Sequence, residues 1–206
     1  LQDVEVRQLG VAQEFDYKLA GGKMTVGLNT GYASGDAYAG WGLRPGTGQL
    51  SGDGRGYGDT RQFGCRTASQ SSDEAACSGH QDRSITNFRF DPSYRVDNIL
   101  FREVIGGVTD AWYVKPHTAY NLNKQTKLKA SLLYGEALFA ESTPGGERPL
   151  GIELDAGLHV NLKNRFAFHL DYGLLMPLAG LNMKLGNTTL EAQTAQRVMG
   201  TFLLRY

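Results

Sequence analysis

The chain has 206 residues, with 21 basic and 21 acidic side chains and a formal net charge of zero. That length serves one domain, and the balanced charge excludes the strongly basic surface of a nucleic-acid binder, so no nucleic-acid partner is expected. Mean hydropathy is −0.34 and no run reaches the roughly 18 apolar residues of a membrane helix, although only alternate residues of a membrane β-barrel meet lipid.

Period-two alternation predicts seven strands in chain order. The first covers 11–20, with Val11, Phe15, Tyr17 and Leu19 on one face and Glu14, Asp16 and Lys18 on the other. Ala20-Gly21-Gly22-Lys23 is a tight turn, because glycine adopts positive φ without penalty. The second strand covers 23–33, with Met24, Val26, Leu28 and Tyr32 opposite Thr25, Asn29 and Gly31. A glycine-rich loop follows at 34–93. In it Asp53 and Asp59 offer oxygen ligands, but their spacing matches no calcium loop, and no metal site is expected. Cys65 and Cys77 in this polar region predict a disulfide and an oxidising compartment.

Residues 94–105 fit either a weak strand or a short amphipathic helix, and the expectation is a structured part of the long loop folded inward. The third strand, 111–122, sets Trp112, Val114, Pro116, Tyr120 and Leu122 against Lys115, His117 and Asn121. Pro116 is out of place there, since proline removes a ladder donor and favours edges or bulges. The fourth, 126–139, sets Leu128, Ala130, Leu132 and Tyr134 against Lys127, Lys129 and Ser131, with a slip near Glu136 that predicts a bulge. The fifth, 150–162, opposes Ile152, Leu154, Ala156, Leu158 and Val160 to Glu153, Asp155, His159 and Asn161. The sixth, 165–175, opposes Phe166, Phe168, Leu170, Tyr172 and Leu174 to His169 and Asp171. The seventh is the tail 196–206, with Val198, Gly200, Phe202, Leu204 and Tyr206 on one face and Arg197 and Arg205 on the other.

One face is read as free of charge on all seven strands. Aromatic residues fall near both its ends: Tyr17, Tyr120, Phe166 and Tyr206 by the tight turns, and Tyr32, Trp112, Tyr134 and Tyr172 toward the long connections. Trp112 to Tyr120 spans roughly 26 Å of strand, matching an apolar band about 25 Å tall. Tight turns alternate with long connections, the asymmetry of a barrel with short periplasmic turns and long outer loops.

These features resemble bacterial outer-membrane β-barrels, and the strand pattern with terminal Tyr206 resembles large porin-type barrels of the alginate-export kind. The resemblance implies an all-β, transmembrane antiparallel up-and-down β-barrel in the bacterial outer membrane, spanning 1–206. It implies contact with outer-membrane lipid, and Phe202, Leu204 and Tyr206 as the signal read by the barrel-insertion machinery. It implies passive diffusion or export of a small polar or polymeric solute, without a cofactor. Seven is an odd count for such a barrel, so the chain is expected to be the C-terminal portion of a larger one, closed by an upstream segment or a partner subunit.

The residues expected to line the pore are Glu14, Asp16, Lys18, Lys115, His117, Lys127, Lys129, Glu153, Asp155, His159, His169, Asp171, Arg197 and Arg205. Opposed rows of charge across a wet pore tune ion selectivity. Two other readings stay open: a non-conducting barrel that displays its 34–93 loop for adhesion or complex assembly, and a surface hydrolase. A hydrolase needs a nucleophile beside a His–carboxylate pair, and no serine is placed beside His169 and Asp171 by the sequence.

Overall fold

The computed structural model describes residues 5–35, 84–140, 142–162, 166–185 and 188–204. Cys65, Cys77, Asp53, Asp59, Arg205 and Tyr206 lie outside the described residues. Seven long strands form one antiparallel sheet: β1 (Gly10–Leu19), β2 (Met24–Ala33), β3 (Ala111–Asn121), β4 (Thr126–Ala137), β5 (Pro149–Leu162), β6 (Phe166–Pro177) and β7 (Ala195–Leu204). Each pairs with its sequence neighbours, in the order β7-β6-β5-β4-β3-β2-β1. The fold is therefore an all-β, up-and-down antiparallel sheet. Two minor pairs lie outside it: a parallel contact between Glu5–Val6 and Ser84–Ile85, and a hairpin of Met183–Leu185 with Thr188–Leu190. No helix among the described residues is long and apolar enough to cross a membrane.

We call the end with the long connections upper and the end with the tight turns lower. At the β1–β2 turn Ala20, Gly21 and Gly22 have φ of 50°, 64° and 86°, the left-handed region where glycine carries no Cβ penalty. The β4–β5 ladder shifts register between Gly135 and Glu136, which is the expected bulge. Pro116 sits in an interior strand rather than at an edge or a bulge. The β3–β4 ladder keeps its register across it, from Val114↔Tyr134 to His117↔Ser131, and omits the two pairs between.

Two expectations about the apolar face are corrected by the register. Glu136 pairs with Trp112 and so stands on that face, at its upper rim, where Arg148 lies 3.1 Å away and the Tyr134 hydroxyl donates to it at 3.0 Å. Tyr172 does not belong with Tyr32 and Trp112. Its row runs through Ala156, Ala130, Thr118 and Val26 to Tyr17. The strands are staggered, so distance along one strand does not give height in the sheet.

The apolar face is not a core. On the interior strands Leu128, Leu132, Leu154 and Leu170 remain 41%, 43%, 43% and 39% exposed. A soluble sandwich would cover such a surface with a second layer. The core lies on the opposite face and only in its upper half. There Val96, Ile99, Leu100, Phe101 and Ile105 of the inward-folded segment pack on Ala33, Tyr113, Leu133, Leu150 and Leu175 of the sheet. Burying a side chain such as Leu100 or Phe101 contributes about 2–3 kcal/mol.

Candidate functional site

The site is built by the segment 94–105 against the polar face of the sheet. Leu100–Ile105 forms a π-helical turn, with Val104 N–H donating to Ile99 C=O at 3.0 Å, and Gly106 ends it at φ 86°. The turn starts from two carboxylates. Asp97 accepts the N–H groups of Phe101 at 2.7 Å and Arg102 at 3.0 Å. Glu153, on β5 and 0% exposed, accepts three consecutive N–H groups: Asn98 at 2.8 Å, Ile99 at 2.9 Å and Leu100 at 2.7 Å. These are donors with no partner inside the turn, and an anion is favoured at a helix start. Glu153 is thus a clasp that fixes the segment to the wall.

Further polar contacts tie the segment across the sheet. Asn98 donates through Nδ2 to Asp155 at 2.8 Å, and Arg197 donates to the Asn98 carbonyl at 2.8 Å. Lys115 donates to the Val96 carbonyl. Arg197 also pairs with Glu103 at 2.9 Å. The Tyr94 hydroxyl bridges Glu14, at 2.9 Å, and the Tyr113 hydroxyl, at 3.2 Å. Burial raises the pKa of Asp97 to about 6; its two backbone donors and Lys115 oppose the rise, and Asp155 adds to it.

Below the segment the polar face opens into a cavity of about 680 Å³. Two histidine–carboxylate pairs stand on its wall. His117 Nε2 lies 2.8 Å from Asp16 Oδ1, and His159 Nε2 lies 2.9 Å from Asp171 Oδ1. The His117 ring crosses β2 over Gly27, where a Cβ would overlap it, so that glycine is required for the pair to meet. His169 stacks on His159, with ring centroids 4.0 Å apart and planes 8° from parallel. The pair suggested by the spacing of His169 and Asp171 therefore does not form as such, because Asp171, opposite Gly157 in the ladder, reaches diagonally over that glycine to His159.

The fourteen residues expected to line a pore divide into groups. Asp16, Lys115, His117, Lys127, Lys129, Asp155, His159, His169 and Asp171 line the cavity. Glu153 does not: it is buried beneath the inward-folded segment. Glu14 and Arg197 bind that segment rather than border the cavity, Lys18 is exposed beyond it, and Arg205 is outside the described residues. The segment supplies cavity residues that the strand pattern missed: Arg95, Asp97, Asn98 and Arg102. A signal for them was legible. Leu132-Leu133 and Leu174-Leu175 are apolar on both faces of their strands, which marks where a layer covers the polar side. Ser131 stands opposite His117 in the ladder, but its hydroxyl donates to Asp155 at 3.4 Å, and among the described residues no hydrogen bond joins it to a histidine.

No family model, no curated protein and no solved structure matches this chain.

Proposed function

We propose that the chain forms part of the wall of a bacterial outer-membrane β-barrel of the porin type, similar in strand pattern to alginate-export barrels. In this reading it passes small polar solutes or polymers without a cofactor. The observation that carries it is the contrast between the faces. One is an exposed apolar surface whose noted charge, Glu136, sits at the rim. The other bears a charged, open cavity. A lysine or arginine on a lipid-facing strand at the bilayer midplane costs about 2–4 kcal/mol, which accounts for the absence of basic residues from the strand faces that hold Leu128, Leu132, Leu154 and Leu170.

The inward-folded segment then narrows the lumen from above. Phe202 and Leu204, 68% and 75% exposed on the outer strand β7, form with Tyr206 the end that the insertion machinery reads. β1 and β7 both run toward the lower end. Direct pairing of the two would make a parallel ladder, so an antiparallel closure needs an odd number of strands beyond the seven described. Purified protein reconstituted in planar bilayers should give discrete conductance steps. A folded, inserted barrel without conductance would overturn the channel reading in favour of a structural barrel that displays its 34–93 loop.

A further inference from the structure

We infer that the lower half of the cavity is a binding subsite for a small oxyanion, a phosphate or carboxylate group, held by Lys127 and Lys129 on β4 with His169 and Thr201 beside them. The placement of this site in a lumen rests on the channel reading above. Each carboxylate that lines the cavity is already engaged. Asp16 holds His117 and Asp171 holds His159. Asp155 takes Asn98, Ser131 and Lys115. Asp97 takes two backbone N–H groups.

The donors are in the opposite condition. Among the described residues Lys127 and Lys129 have no hydrogen bond or ion pair within 4.0 Å, His169 stacks on His159, and Thr201 donates to no acceptor; Asp171 acts on Lys129 and His169 through space without a hydrogen bond to either. The register brings them together. Lys127 stands opposite His159, His159 opposite His169, and His169 opposite Thr201, while Lys129 is one step higher opposite Gly157. Two ammonium groups, an imidazole and a hydroxyl therefore face one volume with no acceptor assigned to them. Charge-assisted bonds from lysine to an oxyanion are about twice as strong as neutral ones, and a lumen wall excludes part of the competing water.

The test is calorimetric titration of inorganic phosphate into the full chain in detergent at low ionic strength. The expected result is saturable binding that weakens at least about tenfold in the double variant Lys127→Gln/Lys129→Gln. Binding should persist in Lys18→Gln, a lysine of the same face outside the cavity, and in Lys127→Arg/Lys129→Arg, which keeps both charges and guards against loss of fold. Absence of saturable binding, or equal binding by the Gln double variant, overturns the site. The two readings fail separately: phosphate binding without conductance keeps the oxyanion site and removes the channel, and conductance without phosphate binding does the reverse.

Discussion

The upper half of the polar face turns apolar at Tyr113, Leu133 and Leu175 while the lower half stays charged, and the two hold opposite environments. In the upper half a carboxylate is dry. Glu153 sees no solvent and is satisfied by three backbone N–H groups of a chain segment. In the lower half carboxylates stay partly open and pair with histidines, as Asp171 does with His159 at side-chain exposures of 21% and 15%. Strand alternation determines which face a side chain takes. It does not determine whether that face is covered, and the cover here comes from residues 94–105, far from most of their partners in the chain.

The contrast can be broken from the upper side first. Glu153→Leu leaves three buried N–H donors without an acceptor, each costing about 1 kcal/mol or more. We expect a loss of about 3–5 kcal/mol in urea unfolding and early proteolytic cleavage within 94–105. A loss below about 1 kcal/mol would mean that apolar packing alone holds the segment.

Proton titration sharpens the same half. The pKa of Asp97 is raised in the fold to about 6 from an ordinary value of 3.8, so the fold prefers its protonated form. The associated stabilisation is complete below the ordinary carboxylate range and is lost as pH rises through about 6. The segment should therefore dock more weakly at pH 7.5 than at pH 5, by about 1 kcal/mol. Hydrogen exchange of the 98–102 amides against pH reads this, and Asp97→Asn should reduce the pH dependence, leaving the part that comes from the buried Glu153 on the same amides. Protection that increases with pH would contradict the assignment.

The smallest effect belongs to the lower half. Asp171→Asn removes the carboxylate beside His159, yet at a partly hydrated pair the expected change is about 0.5 kcal/mol. The same unfolding assay used for Glu153→Leu measures it. A cost near that of Glu153→Leu would show that the two halves are alike and remove the basis of the comparison.

The strands, the tight turns, the bulge at Gly135–Glu136 and most of the ionisable groups on the cavity wall were legible in the sequence. Each of these is local: a period of two, a glycine at positive φ, an interrupted alternation. Within the sheet, three misreadings came from cross-strand relations. Glu136 looked like part of a slip and stands on the apolar rim beside Trp112. Tyr172 looked like part of an upper belt and shares a row with Tyr17. Asp171 looked like a partner of His169 and binds His159. Register and stagger fix these, and neither is encoded in the spacing along one strand.

By itself the sequence determined two faces, their opposite chemistry and the direction of each strand, because side-chain alternation and turn geometry follow from covalent structure. Only the tertiary structure decided that Glu153 is a clasp rather than a lining charge. It also decided which segment packs on Tyr113, Leu133 and Leu175, and that Lys127 and Lys129 are left without acceptors. The reason is that burial and pairing depend on what else arrives in the same space. Here that is a π-helical turn that reaches the sheet only after the chain has folded back onto it.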